Sequence, residues 1–120
     1  MNGFRFGPCC LAADQTLWCQ GRLLPLSPMQ RRLLFCLCQH RGRVISKNEL
    51  IREVWGHDNA SEISLARTMH GLRRKLSEVD LGRDLIQTVY GHGYVFTVAV
   101  ETLPADADAM RLSREASLAV

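Results

Sequence analysis

Residues 61–76, SEISLARTMHGLRRKL, constrain the fold more than any other stretch of the chain, because one helix drawn through them separates two kinds of side chain. At about 100° per residue, Leu65, Met69, Leu72 and Leu76 share one stripe, while Arg67, His70, Gly71 and Arg74 lie on the opposite face. The stripe requires a core to cover it. The opposite face has no acid between Ile63 and Leu76 and is flanked by Arg73 and Lys75, which suits it to an anionic surface. The plainer alternative is a solvated charged face. Gly71 costs about 1 kcal/mol of helix propensity against alanine, a cost that fits close approach of a partner to the backbone.

A length of 120 residues with 47% hydrophobic content suits a single globular domain. No apolar run approaches the roughly 20 residues needed to span a bilayer, and the N-terminus MNGFRFGPCC lacks the charged-then-apolar order of a secretory signal. A cytoplasmic protein with no membrane contact in this chain is therefore expected. The formal net charge is +3, but residues 101–120 hold Glu101, Asp106, Asp108 and Glu115 against Arg111 and Arg114, which leaves the first hundred residues at +5. That bias favours polyanionic partners.

All five cysteines, Cys9, Cys10, Cys19, Cys36 and Cys38, fall in the first 38 residues. An odd count without a secretory signal argues against a disulfide framework. Cys9, Cys19 and His40 lack the paired spacing of a zinc site, so neither metal nor cofactor is expected. Cys36 and Cys38 read as small buried hydrophobes of a helix, their two-residue separation turning one toward solvent. A redox role for the vicinal Cys9 and Cys10 has little support, since such a pair closes only with strain and only Arg5 lies near in sequence to lower a thiol pKa. Catalysis is equally unsupported. His40, His57, His70 and His92 lie in separate elements, no serine or cysteine has an evident base and orienter, and no glycine-rich phosphate loop follows a strand.

The order of elements reads as α+β. Phe4–Phe6, Cys9–Ala12, Leu17–Cys19 and Arg22–Leu26 are short strands with a turn at Gln20-Gly21, giving a small N-terminal antiparallel sheet. Ser27-Pro28-Met29-Gln30 is a capping box with proline at the first helical position, opening a helix that buries Leu33, Leu34 and Leu37 and ends near His40. Ser46 and Glu49 open a second helix that buries Leu50, Val54 and Trp55 and stops at Gly56. A polar loop at 57–60 leads to the two-faced third helix. Two β-branched and aromatic runs around Gly91-His92-Gly93 then form a C-terminal hairpin. Residues 101–120 are expected to be a tail outside the 1–100 domain, weakly helical or disordered.

Four segments in this order, LSPMQRRLL, GRVISKNELIREVWG, SLARTMHGLRRKL and LIQTVYGHGYVF, resemble the winged helix-turn-helix DNA-binding domain of OmpR/PhoB-type bacterial transcription regulators over about residues 4–98. No phosphoacceptor receiver domain precedes the segment, so the chain looks like the N-terminal domains of HilA-like, ToxR-like and CadC-like regulators. Those usually continue into further domains, and the sequence is either a complete small regulator or part of a longer one. The resemblance implies sequence-specific binding of double-stranded DNA in transcription regulation, with helix 61–77 in the major groove and the wing at 85–96 on the adjacent minor groove or backbone.

On that reading Arg67, Thr68, His70 and Arg74 meet base edges or nearby phosphates, Gly71 admits close approach, and Arg73 and Lys75 grip phosphate. Ser46 and Lys47 offer a helix N-terminus to another phosphate. Thr88, Tyr90 and His92 act from the wing. The loop with His57, Asp58 and Asn59 corresponds to a segment that contacts RNA polymerase in some members, and a second protomer on a tandem half-site is expected. Two positions depart from the family pattern: Tyr90 and Ile63 stand where arginine is common, and both bear on the phosphate grip. The competing reading is a winged helix that serves as a protein-interaction module and modulates a related regulator.

Overall fold

A computed structural model describes residues 2–57, 60–79 and 85–118. The elements in chain order are β1 (Gly3–Phe6), β2 (Cys9–Leu11), β3 (Leu17–Cys19), β4 (Arg22–Leu24), α1 (Pro28–Gln39), α2 (Lys47–Trp55), α3 (Glu62–Ser77), β5 (Ile86–Val89), β6 (Gly93–Phe96), β7 (Glu101–Leu103) and α4 (Ala109–Leu118). The expected α+β class and the order sheet, three helices, hairpin are both present. Two compact units emerge, Met1–Leu26 with Val98–Val120, and Ser27–Thr97.

The first unit is a five-stranded antiparallel sheet in the order β4-β3-β2-β1-β7. Its strands alternate as a sheet must. Phe4, Leu11, Leu17 and Leu24 form one cross-strand row and Phe6, Cys9 and Cys19 are the buried members of the next, while Cys10 and Trp18 point to the other face. The two-residue turn Gln20-Gly21 has φ of 55° and 80°, the double left-handed conformation that a tight hairpin requires.

Residues 101–118 are not an appendage. Glu101–Leu103 pairs with β1, and α4 packs on β2, β3 and β4, covering the face where Cys10 joins Leu103 and Ala109. The inward stripe of α4 includes a polar residue: Ser113 is fully buried, its hydroxyl accepting from the Gly21 amide at 2.9 Å and donating to the Met110 carbonyl at 2.8 Å. A short stripe with serine at its centre does not read as an apolar face, which explains why the sequence suggests a tail.

Disulfide chemistry also departs from expectation. Cys9 and Cys19 are directly opposed on β2 and β3 with Cα atoms 4.2 Å apart, and they are bonded. Parity could not reveal the pair, because the count includes three cysteines that remain free: Cys10, Cys36 and Cys38. All three are buried, so neither member of the Cys36/Cys38 pair turns to solvent. Burial pushes each of these thiols above the usual cysteine range, which makes them poor nucleophiles.

The second unit packs α1, α2 and α3 against one another, with β6 against α1. Ser27 caps α1 as a complete capping box with Gln30. Ser46 caps α2 through the Glu49 amide, and Gly56 ends it at φ 80°. Leu50, Ile51 and Val54 are the buried residues of α2. Trp55, expected in the core, is only half-buried at the last turn. Leu33, Leu34, Leu37, Leu65, Met69, Leu72 and Phe96 supply the centre of the unit.

Candidate nucleic-acid interface

Helix α3 starts at Ser61, whose hydroxyl accepts from the Ser64 amide, and its four buried residues are Leu65, Met69, Leu72 and Leu76. That is the stripe expected from periodicity. Arg67, His70 and Arg74 are exposed on the other side, so three groups able to donate to phosphate or base edges stand together along about two turns. Thr68 is half-buried and its hydroxyl donates to the Ser64 carbonyl at 2.9 Å, which occupies its proton within the helix. Lys75 is half-buried near the C-terminal end.

Two members of the expected set serve inside the fold. Gly71 does not lie open to a partner: a Cβ built there would stand 2.5 Å from Nε2 of Gln30. Since the Gln30 Oε1 accepts from the Ser27 amide at 3.0 Å, the missing side chain leaves room for the α1 cap. Arg73 is the second. Its guanidinium donates to the Ile86 carbonyl and to the Thr88 hydroxyl, both at 2.9 Å, and lies 5.7 Å from the Tyr94 ring centroid. One residue therefore ties α3 to both strands of the hairpin, and Thr88 is its acceptor. Sequence spacing could not place Arg73 against strands more than ten residues away.

The hairpin pairs Ile86 with Phe96 through Val89 with Gly93, leaving Tyr90, Gly91 and His92 at the tip. Tyr90 is 91% exposed, so it does not pack back on the unit, and His92 is exposed beside it. Behind the tip, Tyr94 and Ile45 exchange backbone hydrogen bonds of 2.8 and 3.0 Å. Gly93, at φ 148°, is indispensable here because any Cβ would overlap the Ile45 carbonyl oxygen. The wing is thus anchored one residue before α2 is capped.

At that cap the Ser46 hydroxyl accepts from the Glu49 amide at 3.1 Å, while Lys47 is exposed on the first turn. The Glu49 carboxylate accepts from Arg43 at 3.2 Å, and this contact holds it below the usual carboxylate range. His57 is exposed after α2, whereas Asp58 and Asn59 lie outside the described residues. Ile63, at 66% exposure, presents an apolar side chain at the start of α3.

Residues 21–96 match the family described as transcriptional regulatory protein, C terminal. The chain belongs to this OmpR/PhoB-type family of winged-helix DNA-binding domains. Transcriptional regulator HilA of Salmonella typhi is 36% identical over 104 residues, spanning 85% of this chain but 19% of HilA. The DNA-binding dual master transcriptional regulator RpaA of Synechocystis sp. is 33% identical over 98 residues, 79% of this chain and 40% of RpaA. The chain thus spans between a fifth and two fifths of these relatives. The DNA-binding domain of E. coli CadC superposes with a TM-score of 0.75 at 29% identity, covering 84% of this chain and 96% of that one. Family and relatives make the chain a sequence-specific DNA-binding domain of the transcription-regulator type. Among the described residues no helix is long and apolar enough to cross a membrane.

Proposed function

We propose that α3 reads the major groove through Arg67, His70 and Arg74, with the wing tip at Tyr90 and His92 on the neighbouring minor groove or backbone. The exposure of those three side chains opposite a fully buried stripe is the observation that carries this reading. Arginine at 67 or 74 can make a bidentate contact to guanine. Lys47, at the N-terminal turn of α2, adds a phosphate contact through its charge and the helix dipole. Arg73 and Thr88 support the interface by fixing the hairpin on α3, and Thr68 and Gly71 shape the helix rather than touch DNA.

A single winged helix contacts a limited stretch, burying of order 600–1,000 Å², so two protomers on half-sites about 10–10.5 base pairs apart supply the specificity. The segment beginning at the exposed His57 is the proposed contact for RNA polymerase, and the proposed setting is the cytoplasm. Fragment selection from genomic DNA with the purified chain identifies the operator. On it, Arg67→Ala and Arg74→Ala each weaken binding by roughly 1–3 kcal/mol while leaving the melting temperature near wild type. A five-base-pair insertion between half-sites removes cooperativity. Absence of retardation on any fragment at low salt, with the protein folded, refutes the DNA reading; unchanged affinity for the insertion refutes the tandem arrangement alone.

A further inference from the structure

One cluster in the helical unit takes no part in the DNA-facing surface. Cys36 and His40 stand four residues apart on α1 and its C-cap, so they share a face. Glu53 of α2 meets both. Its Oε2 accepts from the Cys36 thiol at 2.8 Å, and both of its oxygens lie 3.2 Å from His40 Nε2. The thiol, imidazole and carboxylate ligand atoms all fall within 4.8 Å of one another. Cys36 is buried, whereas the His40 and Glu53 side chains are 26% and 40% exposed, so the cluster is closed from below and open to solvent above.

We propose that Cys36 Sγ, His40 Nε2 and a Glu53 carboxylate oxygen form a binding site for a borderline-soft divalent cation of the zinc type, with water as fourth ligand. Bond lengths of about 2.0–2.3 Å in a tetrahedral site put ligand atoms about 3.3–3.8 Å apart. The observed contacts come close to that spacing, so a small outward movement of three side chains admits the ion. A thiolate with an imidazole selects zinc, cobalt or nickel over magnesium or calcium, which prefer all-oxygen cages.

The protons must be accounted for. Arg43 has no acceptor, so its Nη2, 3.0 Å from His40 Nδ1, donates to that nitrogen, and a neutral ring then carries its proton on Nε2 toward Glu53. On binding, the Cys36 S–H bond breaks and its proton leaves to solvent as the sulfur–metal bond forms. The imidazole proton moves from Nε2 to Nδ1 by exchange with water, and Arg43 turns off the ring to its second partner, Glu49, at 3.2 Å. The metal would pin α1 to α2.

The test is a cobalt titration of the untagged, chelator-treated full chain with its disulfide intact, followed by displacement with zinc. One cobalt per chain with thiolate-to-cobalt charge-transfer absorption is expected, bleached by one equivalent of zinc. Zinc should also raise the melting temperature. Cys36→Ser should abolish the charge-transfer band and Cys38→Ser should retain it. His40→Gln, at the surface and thus safe for folding, should weaken cobalt at least tenfold and remove the zinc-dependent shift in melting. The proposal is overturned if the folded wild-type chain binds no cobalt, if binding lacks the thiolate band, or if His40→Gln binds as the wild type does.

Discussion

The helical unit and the sheet unit divide both charge and the means of holding together. Residues 27–97 carry eleven Lys and Arg against seven Asp and Glu, a net +4, whereas the rest of the chain carries four against five, a net −1. The family match at 21–96 falls almost wholly on the basic unit. That unit is stabilised by long apolar stripes on three helices; the sheet unit relies on cross-strand register, one disulfide and a buried serine. The positive field that attracts DNA therefore belongs to a scaffold that needs no covalent bond, and the covalent bond belongs to the part with no net attraction for phosphate.

The sharpest way to break this contrast is Leu72→Ala. Leu72 is fully buried on α3, so a cavity there should cost roughly 2–5 kcal/mol in denaturant unfolding. A cost no larger than that of Arg67→Ala would show that the two faces of α3 have been assigned wrongly. In the sheet unit, the pair Cys9→Ala with Cys19→Ala should cost roughly 2–4 kcal/mol, the range for losing a cross-link, while DNA affinity at a temperature where both proteins are folded stays within a few fold. Alkylation of the denatured, unreduced chain should label three cysteines. Labelling of five would remove the disulfide from the comparison.

The smallest effect separates Arg73 from the other arginines of α3. As an exposed residue holding the hairpin by two hydrogen bonds, it should contribute about 1 kcal/mol to stability. Arg73→Ala should weaken DNA binding through a loosened wing, with the slope of log affinity against log salt unchanged. A phosphate ligand would instead reduce that slope by about 1, and finding such a reduction would return Arg73 to the contact set.

Features set by neighbours along the chain are legible in the sequence. Periodicity marks the buried stripe of α3, the capping box marks the start of α1, and turn residues mark the hairpins at Gln20-Gly21 and Gly91-His92-Gly93. Features set by contact across the fold are not. Nothing near Arg73 in sequence announces Ile86 or Thr88, and Cys9 cannot be matched to Cys19 until β2 and β3 are in register. The inward hydroxyl of Ser113 reads as a solvent-facing group until the Gly21 amide is seen above it. The cluster of Cys36, His40 and Glu53 carries half a signal, since a cysteine and histidine four apart on one helix share a face, but the third member comes from another helix.

The void at Gly71 makes two distant positions answerable to each other. With the Gln30 amide in that space, an alanine at 71 displaces the end of that flexible side chain and loosens one of the two capping-box bonds of α1, while shortening residue 30 leaves a notch beside α3. Substitutions at these sites should therefore be non-additive, with Gly71→Ala better tolerated alongside Gln30→Ser than alone. A designer wishing to tilt α3 has in this pair a lever set at the contact between two helices.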